Sequence, residues 1–302
     1  MTSQTDHLNE SAKVALALSD HERINFIRRP RWIGYTKAKE VIAQLENLLT
    51  YPKTHRMPNL LLVGETNNGK TMIVNRFHQF HPVTADPNTE QCQWPVLVVQ
   101  APPVPSEARF YIAILEKLSA PYCSCDSVYK KQFQVMKILG RVRVQIMIID
   151  EIHQIVAGKI GAQRQFLNTI KYLGNELQIP IVGVGTYEAF NALQTDPQLA
   201  NRFEPSVLPR WEQGQEYLRL LSSFERMMPL KQPSYLTEKD LAFKLLVMSE
   251  GTIGELSALL ARAAIRAIEK RTETITPKLL DGMWWIRPSE RKWKAEKNSQ
   301  EK

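Results

Sequence analysis

The stretch Leu60-Leu61-Leu62-Val63-Gly64-Glu65-Thr66-Asn67-Asn68-Gly69-Lys70-Thr71 decides the fold of this chain. Its first four residues form a continuous apolar run, as in a strand buried on both faces of a parallel sheet. Its last eight match the pattern G-x-x-x-x-G-K-[ST] at every fixed position, followed by a helical pattern over 70–80. The chemistry needs those residue types. Glycines let the backbone bend until its N–H groups wrap phosphate oxygens, and the helix that follows adds its positive end. Lys70 brings a point charge to the β- and γ-phosphates, and the Thr71 hydroxyl is a ligand for Mg²⁺. Gly64, Glu65, Thr66, Asn67, Asn68, Gly69, Lys70 and Thr71 are therefore the expected cradle of a nucleoside triphosphate.

Moving outward from this loop, three more apolar runs occur: Val96-Leu97-Val98-Val99, Ile146-Met147-Ile148-Ile149 and Ile181-Val182-Gly183-Val184. Helical patterns lie between them, over 106–118, 127–140 and 162–177. Strands alternating with helices imply a doubly wound α/β domain with a parallel sheet. The third run ends in Asp150-Glu151, placing two acids at the carboxyl end of a buried strand, where ligands of such sheets bind. Asp150 is expected to hold the Mg²⁺ and Glu151 to orient and deprotonate the attacking water. His153 is expected to be a supporting or surface group rather than a ligand. No N-K-x-D guanine-reading motif is present, which favours ATP.

Upstream, Ser19-Asp20-His21-Glu22 reads as a capping box. Ala38, Val41, Ile42, Leu45, Leu48 and Leu49 form an amphipathic helix that ends near Pro52. After Trp211 the strand signal stops. A helix is expected over 212–228, another opened by Thr237 as N-cap, and a third carrying Leu256, Leu259, Leu260, Ala263, Ala264 and Ala267. Four segments follow: an N-terminal helical extension (1–56), the nucleotide core (57–210), a helical lid (211–285) and a basic tail (286–302).

The chain has 302 residues, 43% of them hydrophobic and 23% charged, as in an ordinary soluble globular protein. Its 39 basic and 31 acidic residues give a net charge of +8. The excess sits at the ends: +3 over residues 1–56, zero over 57–261 and +5 over 262–302. Cys92, Cys123 and Cys125 are odd in number, and Cys123-Ser124-Cys125 lacks the two-residue gap of a zinc or redox knuckle, so reduced thiols in a cytoplasmic protein are expected. The polar start MTSQTDHLNE shows no signal peptide, and no run of ~18 apolar residues spans a membrane.

The motifs RWIGYTKA (31–38), LLLVGETNNGKT (60–71), MIIDEIHQI (147–155), VGVGTYEAF (182–190), LANRFE (199–204) and SEGTIGELSALLARAAIRA (249–267) resemble those of the AAA+ ATPases. Within them they resemble the TniB family of transposition ATPases, related to TnsC and the phage Mu B protein. The resemblance spans about 30–285 and implies an AAA+ P-loop core with a small all-helical lid. It further implies an ATP- and Mg²⁺-dependent ATPase that assembles as a ring or helical filament on duplex DNA. Such a protein recruits a DDE transposase, with a target-selection protein as a further partner, and hydrolysis governs disassembly. By position, Thr186 is the expected polar sensor of the γ-phosphate, or else a cap of the next helix. Arg202 is the expected arginine finger, acting on a neighbouring subunit, or else a surface ion pair. Ile33 and Tyr35 are expected to flank the adenine, with core packing as the alternative. One departure stands out: Gly254 occupies the place of the lid's sensor arginine. A helicase loader or replication initiator, or an ATP-switched scaffold that needs no DNA, are the competing classes.

Lys130, Lys131, Lys137, Arg141 and Arg143 form an acid-free basic stretch. Lys117, Lys130 and Lys131 are the expected contacts to duplex DNA, made to its backbone and without sequence preference; the alternative is a solvated helix face. Trp284, Trp285 and Trp293, set among basic residues, read either as a partner surface or as packing of a terminal helix.

Overall fold

The computed structural model describes residues 5–85, 92–194 and 201–291. The described residues divide into two units, Lys37–Pro209 and Met1–Thr36 together with Arg210–Lys302. The stretch expected as one extension over 1–56 is thus shared between them. Its first two helices join the C-terminal helical unit, while nearly all of its third belongs to the nucleotide core.

In chain order, α1 (Glu10–Leu16) and α2 (Asp20–Arg28) precede α3 (Thr36–Leu49). Then come β1 (Asn59–Gly64), α4 (Lys70–Phe80), a small antiparallel ribbon of β2 (Thr84–Ala85) and β3 (Cys92–Gln93), β4 (Val96–Gln100), α5 (Glu107–Lys117) and α6 (Val128–Arg141). They are followed by β5 (Ile146–Asp150), a 3₁₀ helix (Ile152–Ala157), α7 (Ile160–Leu177), β6 (Ile181–Gly185), α8 (Tyr187–Gln194) and β7 (Phe203–Leu208). The chain closes with α9 (Gln215–Met227), α10 (Lys239–Ser249), α11 (Ile253–Glu269) and α12 (Pro277–Asp281).

The main sheet has five strands in the order β4-β5-β6-β1-β7, all parallel. Four of its strands, β4, β5, β6 and β1, are the apolar runs read from the sequence. All five residues of β5 and of β6 are buried, as strands covered on both faces must be. The fifth strand was not expected. β7 alternates buried and exposed residues and contains Pro205, features of an edge strand whose apolar content is too low to read as a run. It pairs with β1 from Asn59↔Phe203 to Gly64↔Leu208. The core of this unit gathers Leu61, Val63, Leu97, Met147, Ile149, Phe110, Phe166 and Ile170, with the Phe110 and Phe166 rings edge to face at 5.1 Å.

The second unit is helical. In α9, Tyr217, Leu220, Leu221 and Phe224 face inward at i, i+3, i+4 and i+7; in α11, Leu256, Leu259, Leu260, Ala263, Ala264 and Ala267 do the same. The capping box of Ser19 and Glu22 starts α2. At α10 the N-cap residue is Glu238, one residue beyond the expected Thr237. Arg23, 1% exposed, donates to Glu273 (2.9 and 2.5 Å), to Asp20 (2.9 Å) and to the Pro229 carbonyl (3.1 and 2.6 Å). Gly251 has φ +71°, and a Cβ there would meet the Trp211 carbonyl oxygen at 2.5 Å. Only glycine fits this turn, in which Trp211 N–H donates to Gly251 O at 2.7 Å. Trp285 packs into this unit, its Nε1–H donating to Met248 O at 2.9 Å, whereas Trp284 is exposed. Trp293 and the rest of the tail from 292 lie outside the described residues. Among the described residues no helix is long and apolar enough to cross a membrane.

Candidate nucleotide site

The loop of residues 65–69 joins the carboxyl end of β1 to the first turn of α4. Asn67 (φ 62°) and Gly69 (φ 84°) both take the left-handed conformation that turns the loop back on itself, glycine and asparagine being the residues that tolerate it best. Gly69 is also the N-cap position of α4, and no side chain caps that helix end. The positive end of α4 thus faces the loop without a side-chain competitor. Asn68 is not turned toward a ligand: it is 2% exposed, and its amide donates to Leu208 O (3.0 Å) and Pro209 O (2.9 Å). Its side chain ties the loop to the end of β7, a role the sequence did not reveal.

Lys70 is buried and donates to the Gly64 and Glu65 carbonyls at 2.8 and 2.7 Å. Burial pushes its pKa below the ordinary lysine value, while the charges of Glu151, Asp150 and Glu65 act against that shift. The Thr71 hydroxyl donates to Asp150 Oδ2 at 2.9 Å, so the two expected metal ligands, 79 residues apart, meet side by side. A hydroxyl beside a carboxylate is a hard-oxygen donor pair of the kind Mg²⁺ takes, and the left-handed loop with its lysine suits a polyphosphate. The residues present fit both groups.

Asp150 ends β5, and its other oxygen, Oδ1, accepts the Glu151 N–H at 2.9 Å. Glu151 then takes φ +56°, ψ 34°, a conformation costing a non-glycine residue on the order of 1 kcal/mol. The turn brings the Glu151 carboxylate to 3.2 Å from His153 Nε2, a partnership the sequence reading missed. Thr186 immediately follows β6, and its hydroxyl is buried with no hydrogen-bond partner, so it does not cap α8. The backbone N of His153 would lie 3.2 Å from a Cβ on Gly185, which puts the 3₁₀ turn against the end of β6 beside Thr186.

Arg202 lies at the other end of the sheet. Its carbonyl accepts from Asn59 N–H at 3.1 Å, just before the first pair of the β1–β7 register, whereas the phosphate loop begins at the last pair. Five residue steps at ~3.3 Å each put the two about 17 Å apart. The guanidinium donates to Asn175 Oδ1 at 2.7 Å and has no acidic partner among the described residues. Burial, and after it Arg56, push its pKa down. The alternative of a surface ion pair is not what the structure shows.

The remaining expected residues have the following surroundings within their own units. Ile33 packs against the core of the helical unit, and the Tyr35 ring meets Trp211 edge-on at 5.0 Å. Burial raises the Tyr35 phenol to about 12. Lys117 and Lys130 are exposed, Lys130 in an ion pair with Asp126 at 2.7 Å. Lys131 corrects the expectation of a free phosphate contact. It is 3% exposed, and its ammonium donates to Asp126 O and, at 3.1 Å, to Ser124 O, holding the loop before α6.

The model of the bacterial TniB protein family matches residues 23–213, well over half of the chain. The chain belongs to the TniB family. No curated protein matches it in sequence. Among solved structures it is similar to the Aeropyrum pernix ORC1 protein in complex with DNA, at 16% identity and TM-score 0.56, covering 85% of this chain and 67% of that one. It is also similar to Cdc6p from Pyrobaculum aerophilum (15%, TM-score 0.59, 87% and 69%) and to the Aeropyrum pernix ORC2 protein in its ADPNP–ADP complexes (12%, TM-score 0.59, 85% and 70%). At such identities the likeness is one of fold. This TniB protein therefore has the AAA+ P-loop fold expected from its motifs, with a parallel five-stranded sheet flanked by helices and a helical C-terminal region.

Proposed function

We propose that this TniB protein binds ATP with Mg²⁺, assembles with copies of itself on duplex DNA, and hydrolyses ATP between neighbouring copies. In that state it recruits or regulates a DDE transposase at target DNA, with a target-selection protein as a further partner. The observation that carries the reading is the contact of Thr71 with Asp150 at 2.9 Å, which brings the phosphate loop to the acid-ended strand and sets Glu151 beside it. The TniB match supports transposition over the helicase-loader reading.

In this mechanism the backbone of residues 64–69 and the Lys70 ammonium hold the β- and γ-phosphates, and Thr71 and Asp150 hold the metal. Mg²⁺, when bound, neutralises charge on the phosphate oxygens. Glu151 accepts a proton from water as its oxygen attacks the γ-phosphorus and the bond to the bridging β–γ oxygen breaks, leaving ADP and phosphate. The Thr186 hydroxyl, buried without a partner, is free to donate to the γ-phosphate or the water. Arg202, some 17 Å from its own loop by strand length, serves the loop of the next copy and neutralises charge developing there. Hydrolysis then requires assembly. Ile33 and Tyr35 would flank the adenine, and Lys117 and Lys130 would follow DNA phosphates.

The test is electron microscopy with duplex DNA and a slowly hydrolysed ATP analogue, comparing wild type with Lys70→Ala. The proposal expects ordered rings or filaments from the wild type and none from the variant. Failure of the wild type to assemble across a range of salt concentrations would overturn it.

A further inference from the structure

The turn after β5 fixes the Glu151 backbone and brings its carboxylate close to His153. The Glu151 N–H is bound to Asp150 Oδ1 at 2.9 Å, which fixes the left-handed backbone, and its Oε2 lies 3.2 Å from His153 Nε2. We infer that His153 is a positioning residue for Glu151: its Nε2–H donates to one carboxylate oxygen and so aims the other at the water. The inference rests on the reading of Glu151 as the base of ATP hydrolysis.

Three features carry it. A carboxylate only accepts, so the nitrogen facing Glu151 must carry the hydrogen. The other ring nitrogen, Nδ1, is buried with no partner among the described residues, which leaves Nε2, 3.2 Å from Glu151, as the ring atom placed to bond. The backbone that carries the ring is also held, because Ile152 beside it is fully buried and the His153 backbone packs on the end of β6 at Gly185. A glutamate side chain otherwise explores several rotamers, at an entropic cost each time it is drawn into line. A base must stand within hydrogen-bond reach of the proton it takes, and displacement by about 1 Å can cost up to 10²-fold in rate. A histidine two residues along a tight turn fixes the base without touching nucleotide.

The experiment combines kinetics with ring spectroscopy on the full chain. Steady-state hydrolysis on duplex DNA is measured for wild type, His153→Ala, His153→Gln and Glu151→Ala. Long-range ¹H–¹⁵N spectra are recorded for the histidine rings. His153→Ala should lower kcat about ten- to a hundredfold with KM for ATP near wild type. His153→Gln, which keeps a donor, should recover much of the loss. The His153 ring should be the Nε2–H tautomer in wild type and a mixture in Glu151→Ala. An unchanged kcat in His153→Ala, a loss in which KM rises as much as kcat falls, or a ring tautomer indifferent to Glu151→Ala would each overturn the inference. Failure of the underlying reading looks different: Glu151→Ala would then hydrolyse ATP as fast as wild type, whatever the ring spectra show.

Discussion

The two units of this TniB protein treat buried polarity in opposite ways. In the helical unit, charges are closed off. Arg23 is matched by Glu273, Asp20 and a carbonyl; Arg31 donates to the carbonyls of Phe26 and Met227 at the ends of α2 and α9; Arg291 pairs with Glu255 at 2.5 Å. In the nucleotide unit the polar groups around the loop are left open. The Thr186 hydroxyl and His153 Nδ1 are buried without partners, Lys70 rests on the loop's own carbonyls, and Glu151 sits in a strained backbone conformation. Of the buried, unpartnered side-chain atoms among the described residues, six lie in the nucleotide unit and one, Arg266 Nε, in the helical unit. Unmet bonding capacity costs on the order of 1–3 kcal/mol per group, and three of the six atoms, on Asn68, His153 and Thr186, belong to the phosphate loop or follow the carboxyl ends of β5 and β6, where ligands of such sheets bind.

This contrast can be broken by mutation. The largest effect is expected at Arg202, on the open side. Arg202→Ala should reduce DNA-stimulated hydrolysis about 10³-fold, as loss of an arginine finger does, while single copies still bind ATP; equilibrium binding and turnover assays check both. Glu151→Gln should reduce turnover by at least about 10²-fold and leave nucleotide affinity intact, so that assemblies on DNA persist when ATP is added.

On the closed side, Glu273→Gln should leave the Arg23 charge without its main partner and destabilise the helical unit by about 3 kcal/mol, read by denaturant unfolding. The pair also sets an acid limit. Burial pushes the Glu273 pKa up, but hydrogen bonds from Arg23 and the Lys231 N–H, with the charges of both residues, more than reverse this and hold it below the ordinary value. A carboxyl whose folded pKa is depressed stabilises above its unfolded pKa of about 4.3, and the stabilisation is lost as pH falls toward the folded value. Wild type should therefore lose stability below about pH 4.3 more steeply than Glu273→Gln. The smallest effect concerns DNA. Lys130→Ala should lower the slope of log affinity against log salt by about 0.9, whereas Lys131→Ala should act mainly on stability.

Much of the nucleotide unit was legible because its chemistry is written in local patterns. A phosphate loop needs glycines and a lysine at fixed spacing, and strands covered on both faces must be unbroken apolar runs, so β1, β4, β5 and β6 could be read directly. β7 could not. An edge strand needs to be apolar on one side only, and Pro205 reads as a breaker until the free edge that accommodates it is known. The partnership of Glu151 with His153 depends on a positive φ that no residue type in Asp-Glu-Ile-His announces. Lys131 looked like one of a row of surface cations, and only the fold of the preceding loop shows its ammonium used as an internal donor. The division of the N-terminal stretch between two units was equally hidden, since nothing in the residues of α2 or α3 says which unit each packs into.

The central claim is that one copy's phosphate loop is completed by the next copy's Arg202. Mixing two inactive variants tests it most directly. Arg202→Ala keeps the loop and Glu151 but lacks the finger; Glu151→Gln keeps the finger but lacks the base. Each alone on duplex DNA should hydrolyse ATP at a small fraction of the wild-type rate. Combined in equal amounts, they should recover a substantial part of it, because interfaces pairing Glu151 of one copy with Arg202 of the other become complete. Recovery no greater than the sum of the separate rates, in assemblies shown to contain both variants, would contradict the account.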